Sequence, residues 1–367
     1  MEPAFFCDKT SSERDLAIYK DGGRRSMKKT VLTGLFLIVC VCFTFAGGGG
    51  ESSGASAAKP MLWKFSTGDV ETTAEAYAAL TFASKIKEKS KGLITVEVYT
   101  NAQLASDKES LSLIQMGSIT GSTPNTSILS SLDPAFLLLD MPYVTTSQQE
   151  LIDILDKGFG EHLSNKLIKA ANIRIISWAV KGPRVVYNYK QPIYRLADIK
   201  GMKLRIMENK VMSRTLELLG AIPIPLPASE RVVAMQTGVV DGCENSLAVI
   251  WQTKEYEVVK YISMTNHFNT PNTVCIDSRV LESLPPDLKN LVLEAGKEAG
   301  KSACEYEAKN NSECEARLAN AGLKLNTIDN LQPFSDAVKP VLDEYAPQIG
   351  KESVDLLFRL KAEVNKK

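Results

Sequence analysis

The sequence predicts an α/β protein of two lobes. Three observations carry this. Segments with the two-residue alternation of a strand keep giving way to segments with the spacing of an amphipathic helix. The chain has 367 residues, 44% of them hydrophobic and 23% charged, which is more soluble globular chain than one lobe ordinarily holds. One helical pattern, Leu284 to Gly322, would extend roughly 50 Å. A lobe of about 150 residues is smaller across than that, so the helix lies across both.

The elements follow in order. Met61 to Thr67 alternates as a first strand. Tyr77, Leu80, Ala83 and Ile86 then recur near helical spacing until Gly92 ends the helix. "LITVEVYT" alternates again, and a helix follows from an N-cap at Ser106 or Asp107 to about Gly117. This order argues for parallel α/β layers. In the middle of the chain Ile173 to Val180 is a buried strand, "RVVYNY" another, and "MKLRIM" a third that leads into a helix ending near Gly220. "IPIPLP" is extended. "SERVVAMQTG" is a short helix with Ser229 as its N-cap, and "VVDGCENS" is a strand edge with a turn at Gly242. In the last third, Pro285 and Pro286 open the long helical pattern and Gly322 closes it. A break near Asn310 and Asn311 into two helices is the alternative.

The N-terminus has the layout of a secretory signal peptide. "RRSMKK" supplies positive charge, Val31 to Ala46 supplies an apolar run, and "GGGGESSGASAAKP" supplies small residues. The run is short of the about 20 residues a spanning helix needs. Cleavage is expected after Ala46 or within "ASAA", and translation is expected to start at Met27. An uncleaved membrane anchor is the alternative. Residues 1–58 are then leader, signal peptide and linker, and the mature protein is periplasmic. Cys7, Cys40 and Cys42 leave with the leader, whereas Cys243, Cys275, Cys304 and Cys314 remain where a disulfide can form. Cys304 and Cys314 sit on one helical pattern about 15 Å apart, too far to bridge.

Charge and motifs exclude several classes. Lys plus Arg, 43, equals Asp plus Glu, 43, so no global field directs the chain to nucleic acid or an anionic membrane. The two histidines, His162 and His267, stand in settings without a metal or nucleophile pattern. From Met61 onward there is no GxSxG, HExxH, P-loop or GxGxxG after a strand. Glu255 and Glu257 read as a solvated charged face. We expect no catalysis, no metal and no cofactor.

One stretch stands out. In "KGMKLRIMENKV", Met202, Leu204 and Ile206 alternate with Lys203 and Arg205, the period of a strand with one buried face. Arg205 sits near its end, before a turn and a helix. It is either an ordinary surface ion pair or a charge aimed at a ligand.

The stretch from Asp198 to Ser246 carries D-x-K-G-x-K-x-R, then L-G-A-x-P-x-P, then S-E, then G-V-V-D-G-x-E-N. "QLASDKE", "DMPYV" at Asp140 to Val144, "KGPR" at Lys181 to Arg184 and "MTNH" at Met264 to His267 agree in order. Together these resemble the extracytoplasmic substrate-binding proteins of TRAP (tripartite ATP-independent periplasmic) transporters, from about Met61 to the C-terminal helices. The resemblance implies a two-lobed periplasmic binding protein with mixed sheets, hinge strands and a long lobe-spanning helix. Lobe I would be 59–181 plus about 270–309, and lobe II 182–269 plus about 310–367. It implies a monomer that encloses a small carboxylate and delivers it to small and large TRAP membrane subunits.

By that resemblance Arg205 is the carboxylate clamp, since a guanidinium offers a planar pair of donors that matches a carboxylate. Arg184 is a second pocket arginine or a brace of the hinge. Asn245 hydrogen-bonds the ligand or caps a turn. Asn125 lines the pocket or shapes a loop, and Glu208 is a further candidate. Glu244 is read as a structural partner of a neighbouring donor. Ala228 and Ser246 depart from the family, where many relatives carry an aromatic and a proline. Trp251 and Trp178 either add aromatic surface or belong to the core. A ligand-sensing module for a membrane receptor and a periplasmic enzyme on the same scaffold are the rival readings.

Overall fold

The structure, a computed structural model, describes residues 59–366. The leader, the start expected at Met27, and Cys7, Cys40 and Cys42 lie outside the described residues.

The chain begins with β1 (Met61–Ser66), α1 (Ala74–Lys89) and β2 (Ile94–Tyr99). Trp63 and Phe65 of β1 are buried while Leu62 and Lys64 are exposed, the alternation of a half-buried strand. Next come α2 (Asp107–Gln115), the short β3 (Gly121–Ser122), α3 (Thr126–Leu129) and a 3₁₀ stretch at Pro134–Asp140. Ser106 caps α2 in a reciprocal box with Glu109, whose carboxylate accepts the Ser106 N–H at 2.9 Å. Helices α4 (Gln148–Ile154) and α5 (Gly160–Ala171) lead into β4 (Ile173–Val180).

The middle of the chain builds β5 (Arg184–Asn188), β6 (Lys203–Ile206), α6 (Lys210–Leu218), β7 (Ile222–Pro225), α7 (Arg231–Gln236), β8 (Gly242–Asn245), α8 (Leu247–Gln252) and β9 (Tyr261–Phe268). It then returns through β10 (Pro271–Asp277) and α9 (Ser278–Glu282). The remainder is α10 (Pro286–Asn320), β11 (Lys324–Asn326), α11 (Gln332–Val338), α12 (Pro340–Ile349) and α13 (Lys351–Val364). One expectation changes here, and one of two alternatives is decided. The turn before α7 is a 3₁₀ segment at Ala228–Glu230, so Ser229 lies inside it and is not an N-cap. The long pattern is one helix of 35 residues, with no break at Asn310 or Asn311.

Two mixed sheets result, in the orders β2-β1-β3-β10-β4 and β11-β9-β5-β8-β6-β7. Parallel pairing holds where a helix crosses over, as in β1 with β2 and β6 with β7, whereas β10 runs antiparallel to both of its neighbours. The order of elements alone suggested parallel layers; the returning strand makes the sheet mixed. The chain passes between sheets at 181–183 and 269–270. Helix α10 packs on α1 and β4 of the first sheet's lobe and on α8 and β11 of the second's. The C-terminal helices, expected with the second lobe, touch both: α13 lies on α4, and α12 lies on the 3₁₀ stretch and on α6.

Helix α10 approaches β4 through two glycines. A Cβ at Gly300 would come within 2.6 Å of the Trp178 carbonyl and 2.0 Å of Ser177 Oγ. In an unencumbered helix Gly→Ala stabilises by about 1 kcal/mol. Here overpacking reverses the sign, and Gly300→Ala is expected to destabilise by about 1–3 kcal/mol, read as a lower midpoint of thermal or urea unfolding.

Candidate ligand-binding site

A cleft between the two sheets encloses about 630 Å³, including space open to solvent. The first lobe contributes Asp69, Glu75, Asp107, Lys108, Asn125 and Lys181 to its wall. The second contributes Arg184, Arg205, Glu208, Ala228, Arg231 and Asn245.

Arg205 reaches the cleft from β6. The strand passes from solvent into the wall along its length: Lys203 is exposed, while Leu204, Arg205 and Ile206 are buried. Arg205 is 1% exposed. Its Nε donates to the Leu226 carbonyl at 2.8 Å and its Nη2 to the same oxygen at 2.5 Å. That carbonyl is fixed in turn, because the Leu226 N–H donates to Ile206 O at 3.1 Å. Among the described residues no carboxylate pairs with this guanidinium. It is therefore a buried charge in the wall of the cleft, held from one edge by a backbone carbonyl.

Arg184 is equally buried but matched. Its Nε donates to Glu244, its Nη2 to Glu244 Oε1 at 2.7 Å and to the Glu244 carbonyl at 2.8 Å. Its Nη1 donates to Asn245 Oδ1 at 3.1 Å and to Thr270 Oγ1 at 3.4 Å. Burial pulls the Glu244 carboxyl upward, yet the Arg184 charge and its hydrogen bonds outweigh this and hold it at about 2. Arg184 opens β5, directly after the first crossing segment, and Thr270 lies in the second. The pair thus joins both crossing strands, and Glu244 is the structural partner expected of it.

The other sequence-derived candidates divide. Asn245 ends β8 with its Oδ1 committed to Arg184 and to the Ser246 N–H at 3.0 Å, while its side chain lines the cleft. Asn125 caps α3 through the Ser127 N–H at 2.9 Å and donates to Asn272 Oδ1 at 2.7 Å. Both of its polar atoms are thus engaged in shaping the wall. Glu208 stands at the rim, 39% exposed, and pairs with Lys108 of the opposite lobe at 3.2 Å. Ser246 caps α8 and donates to Glu307 Oε1 at 2.9 Å, work a proline there cannot do. Trp178 and Trp251 do not line the cleft; Trp251 stacks on Tyr256 at 4.8 Å.

Several wall residues escaped the sequence reading because their partners are distant in the chain. Lys181 pairs with Glu75, both buried. Arg231 pairs with Glu255 and, across the cleft, with Asp69 at 3.2 Å. Glu255 is fully buried rather than solvated: it also accepts from Tyr187 and, at 2.7 Å, from Thr253 Oγ1. Asp107 accepts the Gly68 N–H at 3.0 Å. Burial, aided by the charges of Asp69 and Glu75, pushes its carboxyl up to about 7. Among the described residues no cluster of His, Cys, Asp and Glu could hold a metal ion. No helix among them is long and apolar enough to cross a membrane. Cys243, Cys275, Cys304 and Cys314 are all unbridged.

Replacing Glu244 with Gln leaves Arg184 buried without its counter-charge and is expected to cost about 3–5 kcal/mol of folding stability, measured by urea unfolding. The carboxyl of Glu244 is depressed, so the pair's contribution is complete above the unfolded value of about 4.3. It is lost as pH falls toward about 2. The variant should accordingly lose less stability than the parent chain over that acid range.

The geometry has close relatives. Residues 65–348 match the family model for bacterial extracellular solute-binding protein, family 7. A C4-dicarboxylate-binding protein of Bacillus subtilis is 29% identical over 304 residues, 82% of this chain and 87% of that protein. The sugar acid binding protein of Advenella mimigardefordensis, solved in complex with galactonate, superposes with a TM-score of 0.80 at 27% identity, covering 83% of this chain and 99% of that one. A TRAP periplasmic solute binding protein of Roseobacter denitrificans with bound β-D-glucuronate superposes with a TM-score of 0.77 at 26% identity, covering 81% and 99%. With two mixed sheets around a charged cleft and a model match over most of its length, this chain belongs to the bacterial extracellular solute-binding proteins of family 7, the solute receptors of TRAP transporters.

Proposed function

We propose that the protein captures a small organic acid in the cleft, with Arg205 as the carboxylate clamp, and delivers it to the small and large membrane subunits of a TRAP transporter. The observation that carries this is a guanidinium, 1% exposed, whose only hydrogen bonds among the described residues go to one backbone carbonyl. A charge in such a place is costly until an anion meets it, and a carboxylate fits its remaining donors. Relatives of known ligand agree in kind: galactonate and β-D-glucuronate each carry a carboxylate.

The other residues take graded roles in this reading. Arg184 Nη1 and the Asn245 amide face ligand oxygens beside the clamp. Asn125 gives the first lobe's wall its shape. Glu208 acts through Lys108, tying the rim when the lobes close, since a ligand favours the closed form only through contacts it gains there. The lobes are 59–181 with about 270–309, and 182–269 with about 310–367, the last three helices bridging them. The chain works as a periplasmic monomer after loss of its signal peptide. It transforms nothing, so the ligand is recovered unchanged.

Arg205→Ala should weaken binding of a carboxylate ligand by about 2–5 kcal/mol, the range for truncating one partner of a buried charge pair, with unfolding unaltered. Arg205→Lys should bind poorly as well, because an ammonium keeps the charge and loses the paired donors. Calorimetry on ligand-stripped protein checks both. Unchanged affinity in Arg205→Ala would refute the clamp.

A further inference from the structure

Among the described residues two ion pairs join the facing walls of the cleft, and they differ in kind. Lys108 and Glu208 meet at the rim, with side chains 57% and 39% exposed. Water and salt screen such a pair, and it contributes little. Arg231 and Asp69 meet inside, with side chains only 4% and 13% exposed.

Each half of the inner pair is set by its own lobe. Arg231, the first residue of α7, donates from Nε to Glu255. Glu255 is held in turn by the Tyr187 hydroxyl and, at 2.7 Å, by Thr253 Oγ1. All four residues belong to the second lobe, so the guanidinium keeps its place whether or not the first lobe is near. Asp69 follows β1 in the first lobe. Its carbonyl accepts the Asn101 N–H at 2.8 Å, and the Thr67 carbonyl accepts the Ala102 N–H at 3.0 Å, which pins the loop. Across the gap Arg231 Nη2 donates to Asp69 Oδ1 at 3.2 Å. Burial pulls the Asp69 carboxyl upward, yet the Arg231 charge, joined by those of Lys181 and Arg205, outweighs this and holds it below the usual carboxylate range. Asp69 is therefore ionised at neutral pH.

This bond spans the lobes, so it exists only while they are together, and a contact made in one state alone favours that state. Partners fixed beforehand lose little freedom on meeting. On parting, Asp69 regains water while Arg231 keeps Glu255, so opening strands no buried charge.

We infer that Arg231 and Asp69 are the latch of the cleft, positioning residues that hold the lobes over a captured ligand and set how long it stays. The inference rests on the reading of the cleft as the site of capture and adds what governs release.

Charge alone predicts the opposite effect for one substitution. Asp69 lines the same cleft as Arg205, so removing its negative charge should tighten the binding of an anion. The latch requires that Asp69→Asn loosen it. Ligand-stripped protein is tested with D-galactonate, D-glucuronate and succinate, with dissociation followed by stopped-flow tryptophan fluorescence and affinity by calorimetry. Dissociation in Asp69→Asn is expected to be about tenfold faster or more, with association changed less. Arg231→Lys keeps a counter-charge for Glu255 but not the two-ended reach of a guanidinium, and is expected to speed dissociation in the same way. Because the two act as one contact, the double variant should dissociate no faster than the faster single variant. Thermal midpoints of the ligand-free proteins report folding, and if Asp69→Asn does not fold, Arg231→Lys carries the test by itself. Dissociation that is unchanged or slower in the folded variants overturns the latch and leaves capture standing. Additive losses in the double variant overturn it too, since each residue then acts on the ligand separately. A parent protein that binds none of the three acids overturns capture in the cleft and the latch with it.

Discussion

A buried guanidinium without a counter-ion is the constraint around which this molecule is arranged. Taking a charge out of water costs several kcal/mol unless something repays it. Around Arg205 the repayment is partial. One backbone carbonyl, Leu226 O, takes two of its donors, and that carbonyl is held by β6 itself. Since β6 lies between β7 and β8 in the sheet, the donor edge is fixed before any ligand arrives. Little ordering remains to be done on binding, which is where preorganised sites gain affinity.

Arg184 shows that residue type and burial do not decide role. It is as deeply buried as Arg205, yet the Glu244 carboxylate accepts from both nitrogens of its Nε–Nη2 edge and neutralises it. What remains is geometric: its guanidinium touches Thr270 on one crossing segment while its backbone begins the strand after the other. Two family motifs meet nearby. The Tyr143 N–H donates to His267 O at 3.0 Å, and its hydroxyl donates to Thr265 O at 3.2 Å. Tyr143 adopts a φ of 57° to do so, a conformation that costs a non-glycine residue energy and persists only when neighbours impose it.

Much of the fold could be read from local pattern. Strand Ile173–Val180 was plain because an unbroken apolar run of that length has few other uses. Helix α10 was plain because two prolines open it and a glycine closes it. Arg205 could be placed near a strand end from the alternation around it, and the family motifs gave it a purpose. What the sequence hid was partnership. Asp69 and Arg231 are 162 positions apart, and Lys108 and Glu208 are 100 apart; no local pattern encodes which charge meets which. The same blindness explains Glu255, which looks solvated beside Glu257 and is instead sealed under Arg231 and Tyr187. It explains Ser229 too, where a serine before a helix suggests a cap but a 3₁₀ turn uses the position differently.

Helix α10 also bears on how the lobes can move. It runs past the junction without interruption, and at that junction Asn311 accepts the Ala248 N–H at 3.0 Å. Gly182 of the first crossing segment passes so near that a methyl there would stand 2.1 Å from the Asn311 amide nitrogen. A continuous rod resists twisting far more than a loop does. Any twist of one lobe against the other about the crossing strands would therefore have to strain this rod as well, and the Asn311 contacts with it.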